Sequence, residues 1–373
     1  MTTIDQRENS HVFSIMKGLG IIFVVAGHTA YSPVHNFVYL FHLAVFYFVA
    51  GYFFKDKYID DKLLFVWKKI KSLWFPLVGY GIVFMLLHNL FFRAHFYNPL
   101  TSHLYTRQDY FDCLKYFCSC VTPEQLLGAL WFLRSLFIVS FLFMIGVWIS
   151  KRLSDRYSDI ILGGGILFAV VLCSVFDAEI QQIDILIIRR ILSNECYLTA
   201  ILYMGRMFRK YQRYMPVNIW SIGVLLMLLL FLQYKNVTVA IASSIFPPLP
   251  VFYFASAVGC LFTYTLAVYI HNLPTLSRIM IYAGNASLAI MALHFLAFKV
   301  VSLLQILIYG YGIDYLSAFP VIPDRINIWW VPYVVCGVAL PLLYTSVKQI
   351  LVLQSGRLYG CLLYTSPSPR DCS

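Results

Sequence analysis

A lysine and a histidine stand eleven residues apart in the first long apolar run, Lys17 and His28. At 100° per residue that interval is three turns and about 20°, so a helix through both puts them on one face, about 16 Å apart along its axis. His42 follows Phe41 about five residues into the next apolar run, at a depth similar to that of His28. An imidazole takes a proton from a hydroxyl near neutral pH, which is the work of a general base. The bland alternative is a lysine reaching for the nearest water and two packed rings. Two independently placed imidazoles at one level favour chemistry. A His pair can also ligate metal, but no third ligand, CxxC or Cys/His metal spacing accompanies it, so no metal is expected.

Four further ionisable groups interrupt later apolar runs: Arg134, Glu195, His294 and Lys299. An arginine suits an anionic or polyhydroxylated substrate, and an Arg134–Glu195 pair joining two helices explains the same residues equally well. Lys299 is expected to snorkel outward. The strongest basic cluster is Lys68-Lys69-Ile70-Lys71, just before Trp74-Phe75-Pro76. It reads either as attraction to anionic lipid or as a dock for a phosphorylated cytoplasmic molecule.

The elements that must carry these residues follow from composition. Of 373 residues 60% are hydrophobic and only 12% charged, against about 25% charged in soluble proteins. So little charge cannot cover a water-soluble surface. The expected fold is an all-α, polytopic membrane helix bundle, since lipid offers backbone groups no outside partner. Ten apolar runs approach the length of about 20 residues that a bilayer requires. They are 12–31, 37–54, 73–92, 126–149, 160–176, 191–208, 216–234, 249–270, 285–308 and 329–347. With the N-terminus inside, 19 of the 28 Lys and Arg fall in inside segments and 7 in outside ones. Both termini are therefore expected to be cytoplasmic. The net charge of +11 reflects this topology, not a nucleic-acid partner, because no aromatic-basic stripe accompanies it.

Three local features complete the reading. Tyr105–Cys120 is expected to form a short interfacial helix in the longest outside loop, where Cys113, Cys118 and Cys120 are either a disulfide source or free thiols. Gly163-Gly164-Gly165 is expected to allow close helix packing. Cys361–Ser373 resembles the read-through of a sequencing adapter, so the functional domain is placed at 1–360 and the tail at 361–373.

These motifs together resemble the acyltransferase-3 group of integral membrane acyltransferases, and the chain is similar to its fucose 4-O-acetylase-like sugar O-acetyltransferases. The segment KGLGIIFVVAGH supplies the family's basic residue and His as Lys17 and His28. FHLAVFYFVAGYFF (41–54), Lys68 and Lys71 before Pro76, LWFLRSLF (130–137) and GNASLAIMALH (284–294) follow in family order. Ser14 stands where the family often carries Asp, and Lys17, Lys68 and Lys71 stand where it usually has Arg. Point charges then replace two-pronged phosphate contacts.

The resemblance implies acetyl-CoA as donor, a surface or lipid-linked carbohydrate as acceptor, and a location in a bacterial cytoplasmic membrane. Lys17, Lys68 and Lys71 would hold the phosphates at the inner face, with the pantetheine arm spanning the distance to His28. His28 would be the base, or an acyl carrier, and His42 would orient reactants or stabilise charge. Trp131 and Arg134, with Glu195 and His294, would contact the acceptor. A proton-coupled transporter or exporter of sugar or lipid-linked glycan remains a second reading of buried His, Arg and Glu. A membrane O-acyltransferase of the other architecture, built on a buried Asn and His, is a third.

Overall fold

The computed structural model describes residues 6–118 and 121–364. The chain runs through α1 (Gln6–Gly27), α2 (Ser32–Tyr39), α3 (His42–Tyr52), α4 (Lys57–Asp60), α5 (Lys62–Lys69), α6 (Phe75–Arg93), α7 (Arg107–Cys118) and α8 (Trp131–Leu153). It continues through α9 (Ser158–Val175), α10 (Asp177–Gln181), α11 (Leu186–Arg190), α12 (Cys196–Tyr211) and α13 (Ile219–Tyr234). The last four are α14 (Leu249–His271), α15 (Pro274–Asn285), α16 (Ser287–Tyr309) and α17 (Ile326–Tyr364). Residues 365–373 of the expected tail lie outside the described residues.

Among the described residues, eight stretches are long and apolar enough to cross a bilayer: 9–27, 32–52, 62–93, 125–153, 158–175, 249–271, 287–309 and 326–351. They coincide with eight of the ten expected spans. The other two are helical but fall short of that measure. The stretch 191–208 is broken by a π-helical turn, Ile191–Glu195, and α12 ends in basic residues. The stretch 216–234 is carried by α13, whose 16 residues rise only about 24 Å against a hydrocarbon core of about 30 Å.

The helix α1 is the hub. Val12, Phe13, Ile15, Met16, Ile21, Val24 and Val25 are each at most 2% exposed, and together they occupy more than one face. A helix apolar on several faces has to be surrounded, and α3, α14, α15, α16 and α17 surround it. Peripheral spans differ: 158–175 and 326–351 are only 22% buried within the protein, against 67% for 9–27. Their exposed Leu, Val and Phe side chains face the space that lipid occupies.

The expected second span, 37–54, is not one helix. It breaks between α2 and α3, where Phe41 has φ −151 and ψ −13. The first helix likewise stops at Gly27, four residues before the predicted end. Irregular backbone is tolerated at membrane depth only where protein or a cavity covers it, and both irregularities border the same cavity described below.

Segments that charge counting assigns to one side do meet. Arg206 donates from Nη1 to Asp56 Oδ1 at 2.6 Å and from Nε to Asp159 Oδ1 at 2.8 Å. Lys151 pairs with Asp56 at 3.2 Å, and Lys210 pairs with Asp159. Burial alone would raise the Asp56 carboxyl, but Arg206 and Lys151 beside it hold it below the usual carboxylate range. A depressed carboxylate contributes stability that is present above its unfolded pKa and lost as pH falls through its folded value. Arg206→Met should therefore destabilise the protein by about 2 kcal/mol at neutral pH. Thermal unfolding in detergent checks this, and the difference between the two proteins should shrink only below about pH 4.

Other local expectations are corrected. Only Gly163 of the three consecutive glycines approaches a neighbour: a Cβ there would meet the Tyr203 hydroxyl at 2.5 Å, while nothing lies within 4 Å of Gly164 or Gly165. Lys299 does not snorkel. It is 2% exposed, and its Nζ donates to the carbonyls of Leu316 and Ala318 at 2.8 and 2.9 Å, anchoring an outer loop. The interfacial helix exists as α7, where Cys113 is a free, buried thiol packed with Met85 and Phe117. Cys120 lies outside the described residues.

Candidate active site

The site is built from the ends of α1, α2, α3 and α16. His28 is the first residue past α1, and its backbone N–H still donates to Val24 and Val25. Its Nδ1 is 2.9 Å from the carbonyl oxygen of Val24. His42 opens α3, with Nδ1 2.8 Å from the carbonyl of Val38, which also accepts the Phe41 N–H at the break in the helix. His294 on α16 repeats the arrangement, with Nδ1 3.0 Å from the carbonyls of Ile290 and Met291. A carbonyl only accepts, so each Nδ1 carries the proton and each Nε2 keeps its lone pair. Three imidazoles are thereby fixed in the tautomer that a general base requires.

The rings are close. Those of His28 and His294 are 5.2 Å apart, centre to centre, and Phe295 lies edge-on to His28 at 4.9 Å. Tyr39 separates His28 from His42, at 6.4 and 4.7 Å. His35 supports this wall: it stacks on Tyr39 at 3.8 Å, and its Nδ1 donates to the Gly27 carbonyl at the end of α1. His294 is fully buried behind His28, and its Nε2 has no hydrogen-bond partner.

His28 and His42 line a chamber of about 50 Å³, together with Tyr39, Ala129, Trp131 and Phe132. Its outer wall is Val239, Ile241 and Ala242 of the loop between α13 and α14. That loop is held by Asn194, whose Nδ2 donates to the Ile241 carbonyl at 2.9 Å.

A second cavity, of about 660 Å³, lies along α1 from the chamber. Lys17, Lys68, Lys69 and Lys71 line it with Tyr58 and Ser72, and among the described residues no carboxylate does. The π-helical turn Ile70–Trp74 follows α5 directly; such widened turns occur often at functional sites. Here it brings Lys71 and Ser72 to the same wall as Lys68 and Lys69. The two cavities share two wall residues, Phe132 and Met291.

The structure thus brings together Lys17, Lys68 and Lys71 in one cavity, and His28, His42 and Trp131 in the other. It does not bring Arg134 or Glu195 to either wall. Both are buried beside Tyr47, which donates to Ser135 at 2.8 Å, and they lie close enough to interact electrostatically across the helices. His294 sits behind the chamber and not on its wall. Sequence reasoning missed Lys69, Tyr39, Met291 and the 239–242 loop. Lys69 was visible in the basic run, but selecting positions 68 and 71 passed over it. The loop carried no signal, because its residues are small and apolar.

A second buried polar group, also unread in the sequence, closes the outer side. Glu124 is 1% exposed. It accepts from Tyr97 at 2.8 Å and faces His88 Nδ1 at 3.0 Å, while His88 Nε2 meets the His103 carbonyl at 3.1 Å. Tyr105 stacks on His88 at 3.4 Å. Burial and the charge of Glu124 push the phenols of Tyr97 and Tyr105 well above their usual value, so both remain donors. Glu124→Gln should cost about 2 kcal/mol and expose the loop 94–123, checked by faster proteolytic nicking there in sealed right-side-out vesicles.

Among the described residues, no group of three or more His, Cys, Asp or Glu is placed to hold a metal ion. The acyltransferase-3 family model, described as an acyltransferase domain, matches residues 11–346. No curated protein and no solved structure matches the chain.

Proposed function

The chain belongs to the acyltransferase-3 family and is a membrane acyltransferase, and on that premise we propose that it moves an acetyl or other short acyl group from cytoplasmic acyl-CoA to a carbohydrate hydroxyl. The acceptor is a surface or lipid-linked glycan reaching the chamber from outside, in the cytoplasmic membrane of a bacterium. One observation carries this reading: a cavity whose charged wall residues, among those described, are all lysines adjoins a chamber lined by imidazoles with unprotonated Nε2 atoms.

Four ammonium groups without a carboxylate among them suit the phosphates of a nucleotide head. The thioester at the end of the pantetheine arm then reaches His28. Nε2 of His28 takes the proton of the acceptor hydroxyl as its oxygen attacks the thioester carbonyl. When the tetrahedral intermediate collapses the C–S bond breaks, and the proton on His28 passes to the departing thiolate. His42 faces the same chamber and orients the acceptor or stabilises developing charge. Trp131 offers a flat apolar surface to a sugar ring.

The test is glycan mass spectrometry of cells with and without the gene. A mass increment of one acetyl group that depends on the gene supports the reading; unmodified glycan together with transport independent of acetyl-CoA overturns it. Within the enzyme, Lys17→Ala and Lys69→Ala should each raise KM for acetyl-CoA about 5- to 150-fold, with kcat little changed, because a lost charged contact is worth about 1–3 kcal/mol. The parent's KM should also climb with salt, and that slope should flatten in both variants.

A further inference from the structure

The lysine-lined cavity, a vestibule to the histidine chamber, shares with it two wall residues among those described, and their chemistries differ. Phe132 is 2% exposed and held on several sides. It meets Phe46 edge-on at 5.5 Å and Tyr47 at 5.2 Å, and Trp131 adjoins it. Met291, on α16 one turn before His294, is 3% exposed and unbranched. A thioether chain with three rotatable bonds changes rotamer readily, whereas an aromatic ring wedged among rings does not.

The spaces on the two sides are unequal. The vestibule holds about 660 Å³ and the chamber about 50 Å³ by the same measure, so the chamber is much the tighter of the two. A thioester carbonyl carried past the pair to His28 must place its alkyl chain in that small space, bounded by Ala129 and Leu43. The Met291 carbonyl is one of the acceptors that fix His294, so the two side chains share one turn of α16.

We propose that Phe132 and Met291 form a septum between the two cavities, with Phe132 its fixed side and Met291 its movable side, and that this septum restricts the transferred group to short acyl chains. The chain-length part rests on the acyltransferase reading above; the septum itself does not. Passage of the thioester requires Met291 to swing away, and its return shields the acyl group from cytoplasmic water. Truncating either residue both opens the passage and lengthens the space available to the alkyl chain.

Two measurements separate the septum from the reaction. In the first, Ala129→Cys places a thiol on the chamber wall, and inside-out vesicles are treated with a charged, membrane-impermeant methanethiosulfonate, labelling being read at that residue by peptide mass spectrometry. The expected result is slow labelling with Met291 and Phe132 intact, and completion within the same interval once Met291→Ala or the milder Phe132→Leu is added. Equal labelling in all three proteins overturns the septum. In the second, membranes carrying the parent, Met291→Ala or Phe132→Leu are given radiolabelled acetyl-CoA or butyryl-CoA. The butyryl-to-acetyl transfer ratio should rise at least about tenfold in either variant, since two methylenes in a closed pocket carry discrimination of that order. An unchanged ratio overturns the length selection. A parent that transfers neither group refutes the acyltransferase reading and the length selection with it, while the labelling result still decides the septum.

Discussion

His28→Ala should lower the rate of acetyl transfer in membranes about 10²–10⁴-fold, the usual loss when a positioned general base is removed. Donor KM should barely move, because the lysine-lined cavity lies along the helix from the altered ring and keeps every charge. His28 is singled out among the three imidazoles because it both lines the chamber and is partly exposed, whereas His42 is 3% exposed and His294 is fully buried. The fall should therefore be steeper for His28→Ala than for His42→Ala. The variant should insert normally: the side chain's hydrogen bond goes to the Val24 carbonyl of its own turn, and α1 already ends at Gly27. Undiminished turnover in a monodisperse His28→Ala protein takes this residue out of the mechanism.

The second large effect is on assembly. The helices α3 and α12 cross with backbone against backbone. A Cβ on Gly51 would lie 1.9 Å from the Leu202 carbonyl oxygen, and one on Gly205 would lie 2.0 Å from that of Phe48. Neither overlap is relieved by turning a side chain, so a larger residue must push the helices apart and open the packing on both sides of the crossing. Gly205→Leu should cost more than about 4–5 kcal/mol and leave little folded protein. Gly164→Leu, on a helix face with nothing within 4 Å, should change stability by no more than about 0.5 kcal/mol. Yield and melting temperature after detergent extraction distinguish the two. Similar behaviour of both variants contradicts the close crossing.

The crossing also positions the site. The helix α3 carries His42 at its first turn and Gly51 at its last, so separating α3 from α12 tilts the imidazole away from His28. The ion cluster of Arg206 with Asp56 and Asp159 secures the same end of the crossing, since Arg206 follows Gly205 directly and Asp56 lies just past the last turn of α3. Function at the chamber thus depends on contacts well away from it.

The sequence by itself determined the class of molecule, because charge too sparse for a water surface and apolar runs of bilayer length leave one architecture. It also determined which residues deserved suspicion: Lys17, His28, His42 and the basic run at 68–71 are ionisable groups whose placement in or beside apolar runs has a cost. What it could not determine was every relation that depends on a neighbour from elsewhere in the chain. The break before His42 is invisible in a run whose hydropathy is continuous. Arg134 and Glu195 read equally as substrate contacts or as a pair joining two helices, because depth is legible in a sequence and rotation about a helix axis, within a bundle, is not. His88 and Glu124 are ordinary loop-flanking residues until the fold buries one against the other. The partition by Phe132 and Met291 belongs to the same class, since apolar residues on α8 and α16 become a boundary only when two cavities form on either side of them. One-dimensional pattern records the transfer cost of each residue; the direction each side chain faces is set by the packing of helices far apart in sequence, and that packing decided the site.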